Sequence, residues 1–334
     1  MRAAITGASG LLGANLAIAL LAAGHQVRCT RRGQSAIAHL ADYPIEWVSA
    51  DLADRDGLRR AFADCDVVFH CAAAISYLRR PPPDVIATNV DGTTHVIDAV
   101  TAAATQSGRP IRLVHCSSTV CCAISTNGQP VDETQPWNLP DFGVDDAYST
   151  TKHQAEQRVL AATAQGLDAV IVNPGYMLGP HDARPSSGRM ILEVMRRSAP
   201  GAPTGRNCFV DVRDVVRGMI AAAARGKRGE RYILGGHNLH YAEAWRLISQ
   251  VAGTPPLRLT IPRPFAVPVG WLGDLTQALT GREPNINSVR VRYGYLEGFM
   301  FSSKKAQADL GYEISPLQPA IADAIAWFRA HGMV

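Results

Sequence analysis

A doubly wound α/β fold, a parallel sheet with helices on both faces, is predicted by three observations in this chain of 334 residues. Short β-branched runs alternate with longer helical patterns, and a glycine-rich turn directly follows the first run. Apolar residues make up 47% of the chain and charged residues 19%, a balance that excludes a disordered protein and suits one large core or two interlocked domains.

Strands are predicted at 3–6, 26–30, 45–49, 67–70, 112–116 and 169–173, separated by helical patterns, which makes the sheet parallel. Over 85–100, Ile86, Val90, Thr93, Ile97 and Val100 form a helical stripe that would pack on it. Loops rich in Pro, Gly and Arg occupy 174–205. A strand at 208–210, a helix at 212–224, a strand at 231–234 and a helix from Tyr241 follow, so a second region is woven back into the first. The expected division is a dinucleotide-binding domain over 1–173 plus 207–235, a substrate-binding region over 174–206 plus 236–302, and closing helices over 303–334.

The segment 264–281 puts Phe265, Val269, Leu272, Leu275 and Leu279 on one helical face, while Val267, Trp271 and Ala278 make the opposite face apolar too. It reads as a helix buried on two sides, between core and lid or at a subunit interface; a peripheral membrane or lipid contact is the alternative. Over 315–331, Ile321, Ile325 and Phe328 give an amphipathic closing helix.

Lys and Arg total 33 against 29 Asp and Glu, a formal +4 spread along the chain, which argues against a nucleic-acid partner. The seven cysteines lack C-x-x-C spacing and read as free thiols of a reducing cytoplasm. Cys121 and Cys122 are neighbours, with Cα atoms about 3.8 Å apart, too close for an ordinary disulfide between them. The apolar stretch 11–24 is interrupted by glycine and lacks a convincing cleavage site, and no run reaches the roughly 18 apolar residues of a membrane span.

After the first strand comes Thr6-Gly7-Ala8-Ser9-Gly10-Leu11-Leu12-Gly13. Gly7 permits a tight turn, Gly10 lets the backbone approach a pyrophosphate, and Gly13 allows close helix-to-strand packing, the pattern of Rossmann dinucleotide binding. The second strand ends Cys29-Thr30-Arg31-Arg32-Gly33, with no carboxylate to hold an adenosine ribose. Arg31 or Arg32 can instead pair with a 2′-phosphate, so NADP(H) is favoured over NAD(H). Asp51 is placed to accept from an adenine amino group or to cap the next helix.

Tyr148-Ser149-Thr150-Thr151-Lys152 opens a helix that turns Tyr148 and Lys152 inward with Ala155 and Val159. An ammonium and an oxidised nicotinamide beside a phenol favour its ionised form, so Tyr148 can exchange a proton with an alcohol or carbonyl. The strand at 112–116 delivers Ser117, Ser118 and Thr119 to the carboxyl edge of the sheet, where a hydroxyl can hold the reacting oxygen. Cofactor loop, serine cluster and Y-x-x-x-K stand in the order such a site requires.

Together these residues resemble the extended short-chain dehydrogenase/reductase family, the NAD-dependent epimerase/dehydratase family, over almost the whole chain. The likeness extends to Asp51-Leu52, Val68-Phe69-His70-Cys71-Ala72-Ala73, Asn89-Val90-Asp91-Gly92-Thr93, Asn173-Pro174-Gly175, Phe209-Val210-Asp211-Val212-Arg213-Asp214-Val215 and Gly229-Glu230-Arg231-Tyr232-Ile233-Leu234-Gly235-Gly236. Gly179-Pro180-His181-Asp182, with Pro185 and Gly188-Arg189, looks most like the dihydroflavonol-reductase-like branch, with hopanoid-associated sugar epimerases, and like decarboxylating 3β-hydroxysteroid dehydrogenases.

The resemblance implies that Ser118, Tyr148 and Lys152 form the catalytic set, Lys152 also holding the nicotinamide ribose. It implies that Gly7, Ser9, Gly10, Leu11, Leu12 and Gly13 form the cofactor loop and that Asp51 and Leu52 hold adenine. Ala72 and Ala73 would line ribose and pyrophosphate, Pro174 and Gly175 would flank nicotinamide, and Arg32 matches the position that reads the 2′-phosphate more closely than Arg31 does. Cys121-Cys122 departs from the small or aromatic residues common after the serine.

Thr119-Val120 stands where the family's dehydratases place an Asp-Glu pair, which argues against dehydration. Hydride transfer between nicotinamide and a secondary alcohol, ketone or aldehyde is the leading expectation. An apolar or ring-bearing substrate such as a sterol or triterpenoid would suit the apolar 264–281 helix and Tyr293, Tyr295 and Phe299. A carboxylate beside the alcohol would let CO2 leave from the β-keto acid formed on oxidation. The alternatives are a sugar epimerase or sugar-nucleotide reductase, with Arg184, Arg189, Arg206 and Arg263 available for a diphosphate, and a catalytically silent NADP-sensing protein. His181, His237 and His240 lack metal-ligand spacing, so no metal is expected. A homodimer through helices around 85–104 and 147–164 is implied by the family.

Overall fold

The computed structural model describes residues 1–334 apart from Gln34, Ala199 and Arg258. Its central sheet comprises β1 (Arg2–Thr6), β2 (Gln26–Arg31), β3 (Glu46–Ser49), β4 (Val67–His70), β5 (Arg112–Cys116), β6 (Ala169–Pro174) and β9 (Arg231–Leu234). All pairings are parallel, in the spatial order β3-β2-β1-β4-β5-β6-β9. Helices on both faces explain why β4 and β6 are buried throughout and read as continuous apolar runs. One face is covered by α1 (Leu11–Ala22) and α7 (Val212–Arg225). The other is covered by α2 (Arg55–Phe62), α4 (Gly92–Ser107) and α5 (Ala147–Ala164). The apolar run at 11–22 is thus α1, a helix buried along most of its length.

The stripe expected over 85–100 holds at Val90, Thr93 and Val100 and shifts by one residue at Ile86. A short helix α3 (Pro83–Ile86) meets α4 through a π turn, Ala87–Asp91. A π turn closes on i+5 and inserts a residue into the helical repeat. Val85, Val90, Val96 and Val100 therefore face inward, while Ile86 is exposed and Ile97 only half-buried. The same turn directs Asn89 into the protein, where its amide bonds Ala74 N at 2.7 Å, Ala74 O at 2.9 Å and Thr151 Oγ1 at 2.9 Å.

Beyond β6 the chain passes through Gly175 into a second sheet of β7 (Tyr176–Leu178), β8 (Arg206–Asp211) and β10 (His237–His240), in the order β10-β8-β7. The strand expected at 208–210 is β8. It pairs with β7 and β10, so of the stretch 207–235 only α7 and β9 join the central layers. The physical reason is local: a Cβ at Gly175 would overlap the Cys208 carbonyl, and its absence lets β8 close on the end of β6. Helices α6 (Arg189–Met195), α8 (Tyr241–Ala252) and α12 (Leu317–Ala330) cover this sheet around Phe209, Trp245, Ile248, Ile321, Ile325 and Phe328.

The remaining helices are α9 (Arg263–Thr280), α10 (Ser288–Gly294) and α11 (Lys304–Leu310). Burial of α9 on two sides is not observed: only Gly270 along it is buried, and Phe265, Trp271, Leu272, Leu275 and Leu279 face solvent. Its inward face carries small residues, which let it approach α10 closely and leave no room for the large ones. All seven cysteines are free, and Cys121 and Cys122 lie in the core beside Val120 and Ile124.

His70 on β4 and His115 on β5 sit side by side inside the sheet, ring centroids 5.4 Å apart. His70 is held between Thr6 Oγ1 at 2.7 Å and Thr93 Oγ1 at 3.0 Å. Burial, reinforced by the Lys152 charge, lowers His70 to about 3 and also depresses His115 well below its ordinary value. As pH falls below about 6.5 the unfolded chain takes up protons that these folded histidines refuse, so stability falls with pH by about 1 kcal/mol per pH unit for each. Urea unfolding midpoints at neutral and mildly acidic pH should show this loss, and His70→Gln should reduce its slope.

Candidate active site

The sheet reverses its winding between β1 and β4, and the loops leaving the carboxyl ends of β1, β4, β5 and β6 gather at that crevice. The first loop is shaped by its glycines. Gly7 has φ +78°, and a Cβ there would lie 2.6 Å from Ala72 N. At Gly13 a Cβ would lie 2.8 Å from Ala8 Cα. Gly10 differs: it is exposed, and the nearest protein atom to its would-be Cβ is Gly7 O at 3.6 Å. No side chain caps the α1 N-terminus beside it. Open space over Gly10 together with uncapped N–H groups fits the pyrophosphate of a dinucleotide.

Ser9 is half-buried in this loop, and Leu11 and Leu12 turn into the core behind it. Arg31 and Arg32 stand exposed at the end of β2, flanking the same crevice. Asp51 is exposed and accepts from Ala53 N at 3.2 Å; the cap of α2 is Asp54, which accepts from Gly57 N at 2.8 Å, so Asp51 does not cap that helix. Leu52 packs against Gly92, and its carbonyl accepts from His95 Nδ1 at 2.8 Å. Ala72 and Ala73 follow β4, with Ala72 N donating to Thr6 Oγ1 at 3.3 Å. Pro174 closes β6, and Gly175 N donates to Leu234 O at 3.2 Å.

Ser118 lies just past β5, and Tyr148 and Lys152 stand one turn apart on α5. Asp146 caps that helix, accepting from Tyr148 N at 3.0 Å and Ser149 N at 3.2 Å, and also takes the Tyr293 hydroxyl at 2.8 Å. Burial pushes the Tyr148 phenol well above its usual range, and the Ser118 hydroxyl beside it pulls in the opposite direction. Lys152 is 4% exposed, and its ammonium donates to Cys116 O at 2.7 Å. An ammonium has three donors, and among the described residues only this one is engaged, which fits hydroxyls of a bound ribose.

One turn further on α5, buried Glu156 pairs with Arg231 Nε at 2.9 Å and accepts from Asn173 Nδ2 at 2.8 Å. Asn173 in turn donates to Ser118 O at 3.0 Å, so a charged network under the sheet edge fixes the Ser118 backbone. Asn89, Asn173 and Arg231 stand in segments that carry the family likeness, but sequence patterns assign them no role and do not connect them with Glu156, because the contacts join residues far apart in the chain.

Ser118 and Tyr148 open onto a cavity of about 530 Å³. Its walls include Ile75, Tyr77, Val120, Tyr176, Met177, Met190, Tyr241, Trp245, Tyr293 and Phe299, with Arg189, Glu193 and Arg290 as charged members. Arg290 lies over the Tyr77 ring at 4.3 Å and pairs with Glu283 at 3.4 Å. Of the arginines expected at a diphosphate, Arg189 lines the cavity; Arg206 pairs instead with Glu297 at 3.5 Å, and Arg263 lies on exposed α9. Tyr293 and Phe299 are wall residues, whereas Tyr295 donates to Ile261 O at 2.8 Å away from it. His237 and His240 bond the carbonyls of Ser315 at 2.9 Å and Thr204 at 3.0 Å, and His181 packs by His39 and Trp327.

The switch-point crevice, its open glycine loop and the serine, tyrosine and lysine at its floor define an NAD(P)-dependent enzyme of the short-chain dehydrogenase/reductase class. Residues 3–235 match the model of the NAD dependent epimerase/dehydratase family, and the chain belongs to that family. It is 36% identical to a Synechocystis sp. protein with a provisional dihydroflavonol 4-reductase name, covering 99% of this chain and 95% of the relative. It is 33% identical to sterol demethylase protein B of Methylococcus capsulatus, with 100% of both chains covered. The crystal structure of gox2253 superposes with a TM-score of 0.83 at 34% identity, covering 99% of this chain and 98% of the other. PA4631, described as a nucleoside-diphosphate-sugar epimerase from Pseudomonas aeruginosa, gives 0.80 at 28% identity over 99% and 98%.

The glycine geometry separates two effects. Gly13→Ala should cost about 1–3 kcal/mol of stability in urea unfolding, because its methyl meets backbone. Gly10→Ala should leave stability within about 0.5 kcal/mol yet weaken dinucleotide binding in a fluorescence titration.

Proposed function

We propose that this enzyme is an NADP(H)-dependent oxidoreductase that transfers a hydride between nicotinamide and a secondary alcohol or its ketone, or an aldehyde, on a ring-bearing apolar substrate. Sterols and triterpenoids are the substrate class we favour. The observation that carries the reading is the cavity: Ser118 and Tyr148 open onto a mixed space in which Tyr77, Tyr176, Tyr241, Trp245, Tyr293 and Phe299 with Met177 and Met190 form the bulky apolar part of the wall. Relatives named sterol demethylase protein B and 3 beta-hydroxysteroid dehydrogenase/Delta 5-->4-isomerase support it.

In this reading Gly7, Ser9, Gly10, Leu11, Leu12 and Gly13 hold the pyrophosphate, Arg32 with Arg31 the 2′-phosphate, and Asp51 and Leu52 the adenine. Ala72, Ala73, Pro174 and Gly175 flank the ribose and nicotinamide. The bound nicotinamide supplies or accepts the hydride. In reduction, charge develops on the substrate oxygen; Tyr148 gives that oxygen a proton, and the Ser118 hydroxyl donates a hydrogen bond to it. The Lys152 ammonium, anchored on Cys116 O, directs its remaining donors to the ribose, and its charge eases ionisation of Tyr148. In oxidation the same groups work in reverse, and a substrate whose carboxylate sits on the carbon adjoining the new ketone becomes a β-keto acid, which loses CO2 as the bonding pair passes into an enolate that takes up a proton.

The central layers then serve the cofactor, and the second sheet with α6 and α8 serves the substrate. A homodimer through α4 and α5 belongs to the same proposal. Among the described residues no helix is long and apolar enough to cross a membrane.

A nucleotide-sugar epimerase is the second reading, favoured by Arg189 and Arg290 on the cavity wall and by the name of the PA4631 protein. Nucleotide released on denaturing the purified protein would support it, since an epimerase keeps its cofactor through the cycle.

Two variants test the proposal. Tyr148→Phe should lower turnover of a ring ketone by about 10²–10⁴-fold while sparing cofactor affinity; a wild type that binds the cofactor with no turnover for the variant to lose would point to a silent sensor. Arg32→Ala should weaken NADPH by about tenfold in a fluorescence titration and leave NADH nearly unchanged. Equal affinities for both cofactors in the wild type would remove the NADP(H) assignment.

A further inference from the structure

Helix α9 has an inverted arrangement. Its inward side makes its close contacts through glycine: Gly270 is buried, with Ser288 Cα 3.0 Å from where its Cβ would be, Gly273 meets the backbone of Ile286, and half-buried Asp274 and Gln277 lie on the same side. Its outward side carries Phe265, Val269, Trp271, Leu272, Leu275 and Leu279, each between 49% and 78% exposed. At 100° per residue these side chains share a face less than half the helix circumference wide. A contiguous face of large apolar side chains on water marks an interaction surface.

Both ends of that face are basic: exposed Arg263 opens the helix and exposed Arg282 follows it, while Arg79 and Arg80 line a cleft on the inward flank with Asp274 and Gln277, where Arg79 donates to Ser288 Oγ at 3.2 Å. Among the described residues no carboxylate pairs with Arg79, Arg80, Arg263 or Arg282. The acids nearby are engaged elsewhere: half-buried Asp274 accepts from Ser288 N at 3.1 Å, and Glu283 holds Ser76, Tyr77 and Arg290. An apolar face with tryptophan and phenylalanine, bordered by unpaired arginines and by no free carboxylate, is complementary to an anionic lipid surface. A second copy is a poorer partner, because a two-fold pairing of this face would bring the same arginines against one another.

We infer that α9 is a peripheral membrane anchor that seats the enzyme on an anionic phospholipid bilayer. The placement has a consequence for the site, which rests on the proposed lipophilic substrate. Tyr77 lines both the cleft beside α9 and the substrate cavity, its ring centroid 6.4 Å from that of Tyr148, and half-exposed Ile75 lines the cavity as well. Seating α9 on lipid brings the cavity mouth to the bilayer, so an apolar substrate enters from lipid.

The test is flotation of the full-length protein with vesicles of phosphatidylcholine, with and without about one-third phosphatidylglycerol, at low and high salt. The wild type should float with the anionic vesicles and lose that binding at high salt. L272S/L275S/L279S should reduce the bound fraction by about tenfold or more, and R263E/R282E should abolish the preference for anionic lipid. Both variants should melt like the wild type and keep its NADPH affinity, which separates lost docking from lost folding. Failure of the wild type to float, or equal flotation of both variants, overturns the inference. So does a wild-type dimer in sedimentation velocity that the triple variant splits, which would assign the face to a second copy. Flotation without ketone turnover would sink the substrate reading and leave the anchor standing; turnover of a water-soluble ketone without flotation would do the reverse.

Discussion

A lysine ammonium with almost no exposure and a single backbone carbonyl for a partner is the constraint around which this structure is arranged. A buried cation is costly unless it is hydrogen-bonded, and it acts on every titratable group near it. The charge of Lys152 helps keep His70 and His115 neutral inside the sheet. One turn along α5, Glu156 pairs directly with Arg231 and meets Lys152 only through the longer-range attraction between their charges. The ammonium therefore remains a positive, under-satisfied group at the carboxyl edge of β5, where a ribose hydroxyl and a phenolate are the groups it can use.

Its position follows from elements that meet only in three dimensions. The Asp146 cap starts α5 so that Tyr148 and Lys152 fall on the inward face. Asn89, turned inward by the π turn, ties Thr151 of α5 to the Ala74 backbone in the loop after β4. Asn173 couples the end of β6 to Ser118. Each tie connects two of the sheet-edge loops, so the nucleotide crevice and the chemical site form one braced unit. The second sheet joins this unit through Gly175 and supplies the opposite wall of the cavity without touching the bracing.

Local periodicity carries most of the fold. Strands with both faces covered read as short apolar runs, and each of the first six is observed within about two residues of its expected bounds. The cofactor loop was legible because its three glycines serve steric demands that act within a single strand-turn-helix unit, and Tyr148 with Lys152 because their spacing is one helical turn. What periodicity misses has a common cause. The π turn at Ala87–Asp91 has no signature in an alternation of apolar residues, so the expected stripe holds at Val90, Thr93 and Val100 but is off by one residue before the turn, where Val85 and not Ile86 is buried. The cavity walls come from positions as distant as Tyr77, Tyr176, Tyr241 and Arg290, which no local pattern can group.

Helix α9 shows the sharpest limit of such reading. Apolar residues on every side of a helix argue for burial on every side, provided that the neighbouring element has room for them. Here Gly270 and Gly273 decide otherwise: close packing of glycine against α10 turns the bulky residues outward, and the feature that first suggested core becomes surface. Arginines stand at both ends of the helix, and the loop after β4 packs along its inward flank through Arg79 and Arg80. Tyr77, from that same loop, forms a wall of the cavity beside Tyr148. One connection thus supports α9 from behind and shapes the substrate space within, which ties where the protein docks to what its site can receive.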